Sequence, residues 1–303
     1  MDAGRFPRLV LSIFTISVPR LNDQRWDYLQ LSAIWRQALS APPGHAIHFN
    51  FLGCDFLRPN AVVVLGGLAR MLNLHGREVL FLSNTMRASV LANLTQNGFA
   101  HAMGASQTPW RGNAIPYQEF QQANKEQVVS SLRQNWLGRG WISVSEALAD
   151  AIMGQVWELF TNAFEHAYSP VGVITCGQYL PKHKELLLTI ADFGVGIPAK
   201  VSSYLGRPCS PEEAMRCAFS RGFTTTGSIV PRGMGLDLVK DFVKNANGCL
   251  ELFSYDGYAR VDSGGESYQN IGPIFAGTLV QIRLNCDDRF YLLSNELNNQ
   301  PFF

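Results

Sequence analysis

The sequence predicts an α/β protein of two domains, and three observations carry that reading. The chain has 303 residues, at about 150 residues per globular domain. Its first hundred residues alternate strand and helix signals, the pattern of a layered, largely parallel sheet. After a stretch without periodicity, a long capped helix leads into a second series of strands. Composition agrees: 47% of residues are hydrophobic and 16% charged, against roughly 25% charged in ordinary soluble domains. Such a chain has ample apolar material for a core, which excludes general disorder. It also implies surface buried between domains or between copies, with residues 105–124 the place to look.

Residues 9–18, rich in Val10, Ile13, Thr15, Ile16 and Val18, read as a buried strand rather than a signal peptide, since no small-x-small cleavage site follows. Asn22-Asp23 is expected to cap a helix over 24–40, with Trp26, Leu29, Ile34, Trp35 and Ala38 on its apolar side. A strand over 47–52, a helix over 61–74 stopped by His75-Gly76, a strand over 78–82 and a helix over 86–96 closed by Asn97-Gly98 complete the first unit. This gives expected boundaries of 1–104 for the first domain, 105–126 for a linker of Gly, Pro, Gln, Asn and Ser, and 127–303 for the second domain.

In the second domain, Ser143-Val144-Ser145-Glu146 reads as a capping box opening a helix that runs to about Tyr168. Strands follow over 171–179 and 186–191. Ser210-Pro211-Glu212-Glu213 caps a further helix, and another spans 235–246, closed by Asn247-Gly248. The strand over 249–255 enters an Asp256-Gly257 hairpin turn, and the last strong strand spans 277–284.

Several functional classes fall away. Twenty-five basic and 24 acidic residues give a net charge of +1, so nucleic acid and membrane surfaces are not expected partners. The longest apolar runs, 9–18 and 61–74, are shorter than the roughly 20 residues a spanning helix needs. Six cysteines are scattered without C-x-x-C spacing. They read as free thiols of a cytoplasmic protein.

The chemistry concentrates in four places. Glu158, Asn162 and Glu165 stand at i, i+4 and i+7 on one helix, so their side chains share a face. Two carboxylates and a carboxamide suit a hard cation such as Mg²⁺ with its phosphates, and leave a carboxylate to orient a water. The strand over 186–191 delivers Asp192, followed by Gly194 and Gly196. There backbone can approach a ligand closely, and a carboxylate can accept from an amino group such as that of adenine. Arg232-Gly233-Met234-Gly235-Leu236 opens a helix whose N-terminus is a phosphate site, after a Gly-, Thr- and Ser-rich segment 221–228 that suits a lid. Gly277-Thr278 opens the last strand. There is no Walker A sequence, and the kinase β3 lysine and His-Arg-Asp loop are missing.

Taken in this order, the four elements resemble the GHKL superfamily of gyrase, heat-shock chaperone, histidine kinase and mismatch-repair ATPases across roughly residues 140–285. The stretch E-x-x-x-N-A-x-x-H-A from Glu158 looks like the family's N box, Asp192 to Ile197 its first glycine box, and Gly233 to Leu236 its second. The resemblance implies a GHKL (Bergerat) α/β sandwich with helices on one face of its sheet, and ATP between the helices and a lid. It implies Glu158 as general base, Asn162 as Mg²⁺ ligand and Asp192 as the adenine contact. Glu165, His166, Gly194, Gly196, Ile197, Thr225, Gly233, Gly235, Leu236 and Thr278 would line the nucleotide. The cofactors implied are ATP and Mg²⁺.

The N box is most similar to that of the anti-sigma-factor serine kinases. The six histidines offer no phosphoacceptor box of the sensor-kinase kind. Residues 49–61 with the following helix and strand resemble a STAS (anti-sigma-factor antagonist) domain over about 9–104. Asn60 and Ala61 stand where such domains often carry a phosphorylatable serine. The implied protein is a Mg-ATP-binding regulator, an ATPase or a protein serine/threonine kinase in a signalling or partner-switching system with a regulatory protein partner. Two alternatives stay open: a non-catalytic ATP sensor whose lid controls partner binding, and an ATP-gated dimer clamp, hence a homodimer.

Overall fold

The computed structural model describes residues 12–220 and 237–296. In the first hundred residues, strands β1 (Ile13–Ser17), β2 (Ala46–Asn50) and β3 (Val79–Phe81) pair in parallel, in that order. Helices α1 (Arg25–Ser40) and α2 (Pro59–Leu74) connect them, and α3 (Ala88–Gln96) and the short α4 (Phe99–Ala102) follow. Helix α1 starts at Gln24, whose amide donates to the Asp27 carboxylate at 3.0 Å, and not at Asn22-Asp23. Its buried stripe is Tyr28, Leu31, Ile34, Trp35 and Ala38, at helical spacing. Trp26 and Leu29, expected inside, are exposed. They fall off that stripe, which apolar content alone did not reveal.

The remaining strands β4 (Ala114–Phe120), β6 (Val173–Leu180), β7 (Glu185–Asp192), β8 (Cys249–Ser254), β9 (Gly257–Asp262), β10 (Gly265–Asn270) and β11 (Thr278–Asn285) form one antiparallel sheet, in the order β10-β9-β8-β11-β7-β6-β4. Short β5 (Ser143–Val144) pairs with β12 (Phe290–Tyr291). Helices α5 (Lys125–Asn135), α6 (Glu146–Asn162), α7 (Ile197–Leu205), α8 (Pro211–Phe219) and α9 (Asp237–Asn245) accompany them. The cap of α6 is Ser145, whose hydroxyl accepts from the Leu148 amide at 3.1 Å; Ser143 belongs to β5.

Strand β4 lies inside the stretch 105–126 expected to be a linker. It pairs with β6 as an edge strand, and its register shifts between Ile115 and Gln118 around Pro116. Proline is confined to edges and bulges, so the segment carries loop chemistry although Ala114, Ile115, Tyr117 and Phe120 are buried. The segment before the last strand, 256–273, holds the ordered hairpin of β9 and β10.

Side chains alternate across a strand with a period of two. On β7, Leu186, Leu188 and Ile190 enter a core with Phe160 of α6 and Phe242 of α9. Ala191 turns the other way, into a second core with Leu31 of α1 and Leu65 of α2. Helices therefore cover both faces of the sheet rather than the one face expected. The Tyr28 ring stacks on Phe253 at 3.7 Å and its hydroxyl donates to Gln281 at 2.9 Å, while Arg70 of α2 pairs with Glu119 of β4 at 2.9 Å. The low charge content is explained by this internal face, which runs across the sheet and is not confined to residues 105–124. Among the described residues no helix is long and apolar enough to cross a membrane, and all six cysteines are free.

Candidate nucleotide site

Three strands of the large sheet end side by side. Register places Thr278 of β11 opposite Asp192 of β7 on one side and opposite Ser254 of β8 on the other. Asp192, Thr278 and Ser254 thus form one row at the ends of these three inner strands, on the face that carries α6. The Asp192 carboxylate is buried and accepts from the Gly194 amide at 2.9 Å, with the amide of Thr278 as a further donor. Burial raises its pKa from 3.8 to about 7, with those hydrogen bonds pulling the other way.

Ser254 was not singled out from the sequence, yet it joins the row to the loop beyond it. Its hydroxyl donates to the Gly277 carbonyl at 3.0 Å, accepts from the Ile197 amide at 2.7 Å, and pairs with the Thr278 hydroxyl at 2.9 Å. The Ile197 amide opens α7, so one serine hydroxyl locks the helix start to the strand end. Only the pairing of β8 with β11 marks it out, and no local motif carries that information.

The glycines answer close approaches. Gly277 has φ +120°, and a Cβ there would stand 2.1 Å from the Asp192 carbonyl. At Gly194 a Cβ would meet the Ala167 carbonyl at 1.8 Å, and the Val195 amide donates to the same carbonyl at 2.9 Å. The Asp192 loop therefore lies against the end of the α6 helix, where residues Ala163–Ala167 form a π-helical turn. Such turns recur at functional sites. Tyr168 follows with φ 54°, and the Lys200 ammonium sits 4.5 Å from the centre of its ring.

The π turn changes one expectation. Glu158 and Asn162 belong to α6 and are half-buried, but Glu165 lies within the turn and is exposed. The wider turn breaks the 3.6-residue repeat that put Glu165 in line with the other two. One turn earlier, the Gln155 side chain accepts from the Val239 amide at 2.9 Å. Gln155, Glu158 and Asn162 follow helical spacing, so this contact sets Glu158 and Asn162 on the side of α6 that faces the start of α9. Gln155 is a second residue the sequence did not signal. Gly196, with φ +75°, precedes α7. Thr225, Gly233, Gly235 and Leu236 lie outside the described residues, as does the His166 side chain.

The residues present fit a purine nucleotide. A buried carboxylate with donors on part of its oxygen surface keeps acceptor capacity for an amino group. The half-buried carboxylate and carboxamide on α6 stand on the side of that helix that faces α9. Among the described residues no three His, Cys, Asp or Glu side chains are grouped to hold a metal by themselves. A cation here would keep waters and phosphate oxygens, as Mg²⁺ does.

No curated protein matches the chain. Residues 148–286 match the sequence model of the family described as histidine kinase-, DNA gyrase B- and HSP90-like ATPase.

Proposed function

We propose that the chain is a Mg-ATP-dependent regulatory protein that hydrolyses ATP or transfers its phosphoryl group to a serine or threonine of a partner protein. The observation that carries this reading is the buried Asp192 carboxylate, fixed in a row with Thr278 and Ser254 beside a glycine-shaped loop. In this reading Asp192 accepts from the adenine amino group. The Asn162 amide oxygen holds Mg²⁺, which when bound neutralises phosphate charge. Glu158 orients and deprotonates the attacking water or hydroxyl. Positioning and electrostatics supply most of such catalysis.

The parallel βαβαβ order of the first hundred residues supports a STAS-like partner module fused to the nucleotide domain, and with it a partner-switching role. Asn60 and Ala61 carry no hydroxyl, which leaves these positions at the start of α2 without a group to phosphorylate. Calorimetry with ATP and Mg²⁺ on wild type and Asp192→Asn tests the reading. Weaker binding by the variant than by wild type is expected. Equal binding by the two sinks it.

A further inference from the structure

Each segment of the Asp192 row carries an aromatic ring on its far side, and α1 holds all three rings. Phe193 follows Asp192, and its ring stacks on Trp35 at 5.6 Å with an interplanar angle of 3°. Phe275 stands just before Gly277-Thr278 and packs on the same Trp35 at 5.6 Å and on Phe193 at 5.7 Å. Phe253 precedes Ser254, and Tyr28, two turns before Trp35 on the same face of α1, stacks on it at 3.7 Å. Alternation along the strand makes this possible, since Ser254 turns to the nucleotide face while Phe253 turns to α1. A fourth contact, from the Ser32 hydroxyl to the Pro273 carbonyl at 3.0 Å, holds the segment leading to Phe275.

The fit is close. A Cβ at Gly67 of α2 would stand 2.0 Å from the Phe193 ring, so that ring is fixed from a second direction. Aromatic pairs of this kind add attraction beyond that of burial alone. They join Tyr28 and Trp35 of α1, outside the segment 148–286 that matches the ATPase family, to rings within that segment.

We propose that α1 is the positioning element of the nucleotide pocket, with Trp35 and Tyr28 setting the place of Asp192, Thr278 and Ser254 from behind the sheet. The inference rests on the ATP-binding reading above. Trp35 and Tyr28 touch no nucleotide, so they act through Phe193, Phe275 and Phe253. Because coupling between two sites is reciprocal, anything that shifts α1 changes ATP affinity, and ATP in turn holds α1 on the sheet. The first hundred residues are then an input to the nucleotide site and more than a neighbour of it.

The test compares ATP with purine riboside triphosphate, which lacks the 6-amino group that Asp192 would accept from. Calorimetric affinities for both nucleotides are measured on the full chain as wild type, Trp35→Leu, Trp35→Phe, Phe275→Leu and Asp192→Asn. Trp35→Leu and Phe275→Leu are expected to weaken ATP about tenfold and leave the analogue unchanged, with Trp35→Phe restoring the preference. Phe275→Leu reports on the same cluster if Trp35→Leu does not fold. Parallel loss of both nucleotides, or an unchanged preference for ATP, overturns the inference and leaves Trp35 a packing residue. If Asp192→Asn keeps the ATP preference, the ATP reading itself fails; if Asp192→Asn loses it while Trp35→Leu and Phe275→Leu keep it, only the role of α1 fails.

Discussion

Arg58, at the start of α2, reaches across to Glu185, at the start of β7, and pairs with it at 3.0 Å. The same guanidinium lies 3.7 Å from Asp23, whose side chain is only 2% exposed, and Arg283 approaches Asp23 at 3.8 Å. These four side chains cross the boundary between the two parts of the chain. Their value lies in mutual compensation, since a buried charge that loses its partner costs far more than the pair contributes.

Arg58→Met is therefore expected to destabilise the protein by about 3 kcal/mol, read as a lower midpoint in urea denaturation. Arg20 pairs with Asp55 at 3.6 Å, but its side chain is 59% exposed, so Arg20→Met is expected to cost less than about 1 kcal/mol. Equal effects from the two substitutions would remove the boundary network as a source of stability.

The raised pKa of Asp192 makes nucleotide affinity depend on pH. The ionised carboxylate accepts from an amino group more strongly than the protonated one, so ATP affinity is expected to rise by up to about tenfold from pH 6 to pH 8. Asp192→Asn serves as the reference and is expected to lack that rise. The stability of the nucleotide-free protein runs the opposite way. A carboxyl raised from 3.8 to about 7 contributes stability that is present below its unfolded pKa and lost as pH rises through about 7. Calorimetry and thermal melting across this range check both signs.

Ser254→Ala removes the partner of three groups at once. The Ile197 amide, the Gly277 carbonyl and the Thr278 hydroxyl each lose a hydrogen bond, and an unsatisfied buried group costs about 1 to 3 kcal/mol. The expected result is ATP affinity lower by about tenfold or more, with fluorescence or calorimetric titration as the measurement. Ser254→Thr keeps the hydroxyl and should retain most of the affinity.

Glu158→Gln separates turnover from sensing. If Glu158 is the base, turnover should fall at least about a hundredfold while ATP still binds. Should the variant keep its biological activity with turnover gone, ATP acts as a signal rather than as a phosphoryl donor.

Local chemistry made much of this site legible in advance. Asp192 with Gly194, the Gly277-Thr278 step and the Glu158-Asn162 spacing are short-range patterns, and the strands that deliver them alternate plainly. What escaped was set by pairing. Ser254 matters because β8 lies beside β11 with Ser254 opposite Thr278, and sequence distance hides that register. Strand β4 escaped because Pro116 and its polar neighbours give an edge strand the composition of a loop. Glu165 was placed in line by a helical repeat that the π turn interrupts. The Trp35 stripe was partly visible, but nothing in the first hundred residues announced that the far face of another sheet would cover it.

Strand β4 ends at Phe120 and pairs with β6, which begins at Val173. A cut placed between residues 126 and 127 would therefore hand on six strands of the large sheet and leave the seventh behind. A fragment starting there would leave the outer edge of β6 without its partner strand, an unpaired edge open to other chains. The self-contained fragment reaches back at least to Ala114, and one that also keeps α1 and α2 retains the cover on the second face of the sheet.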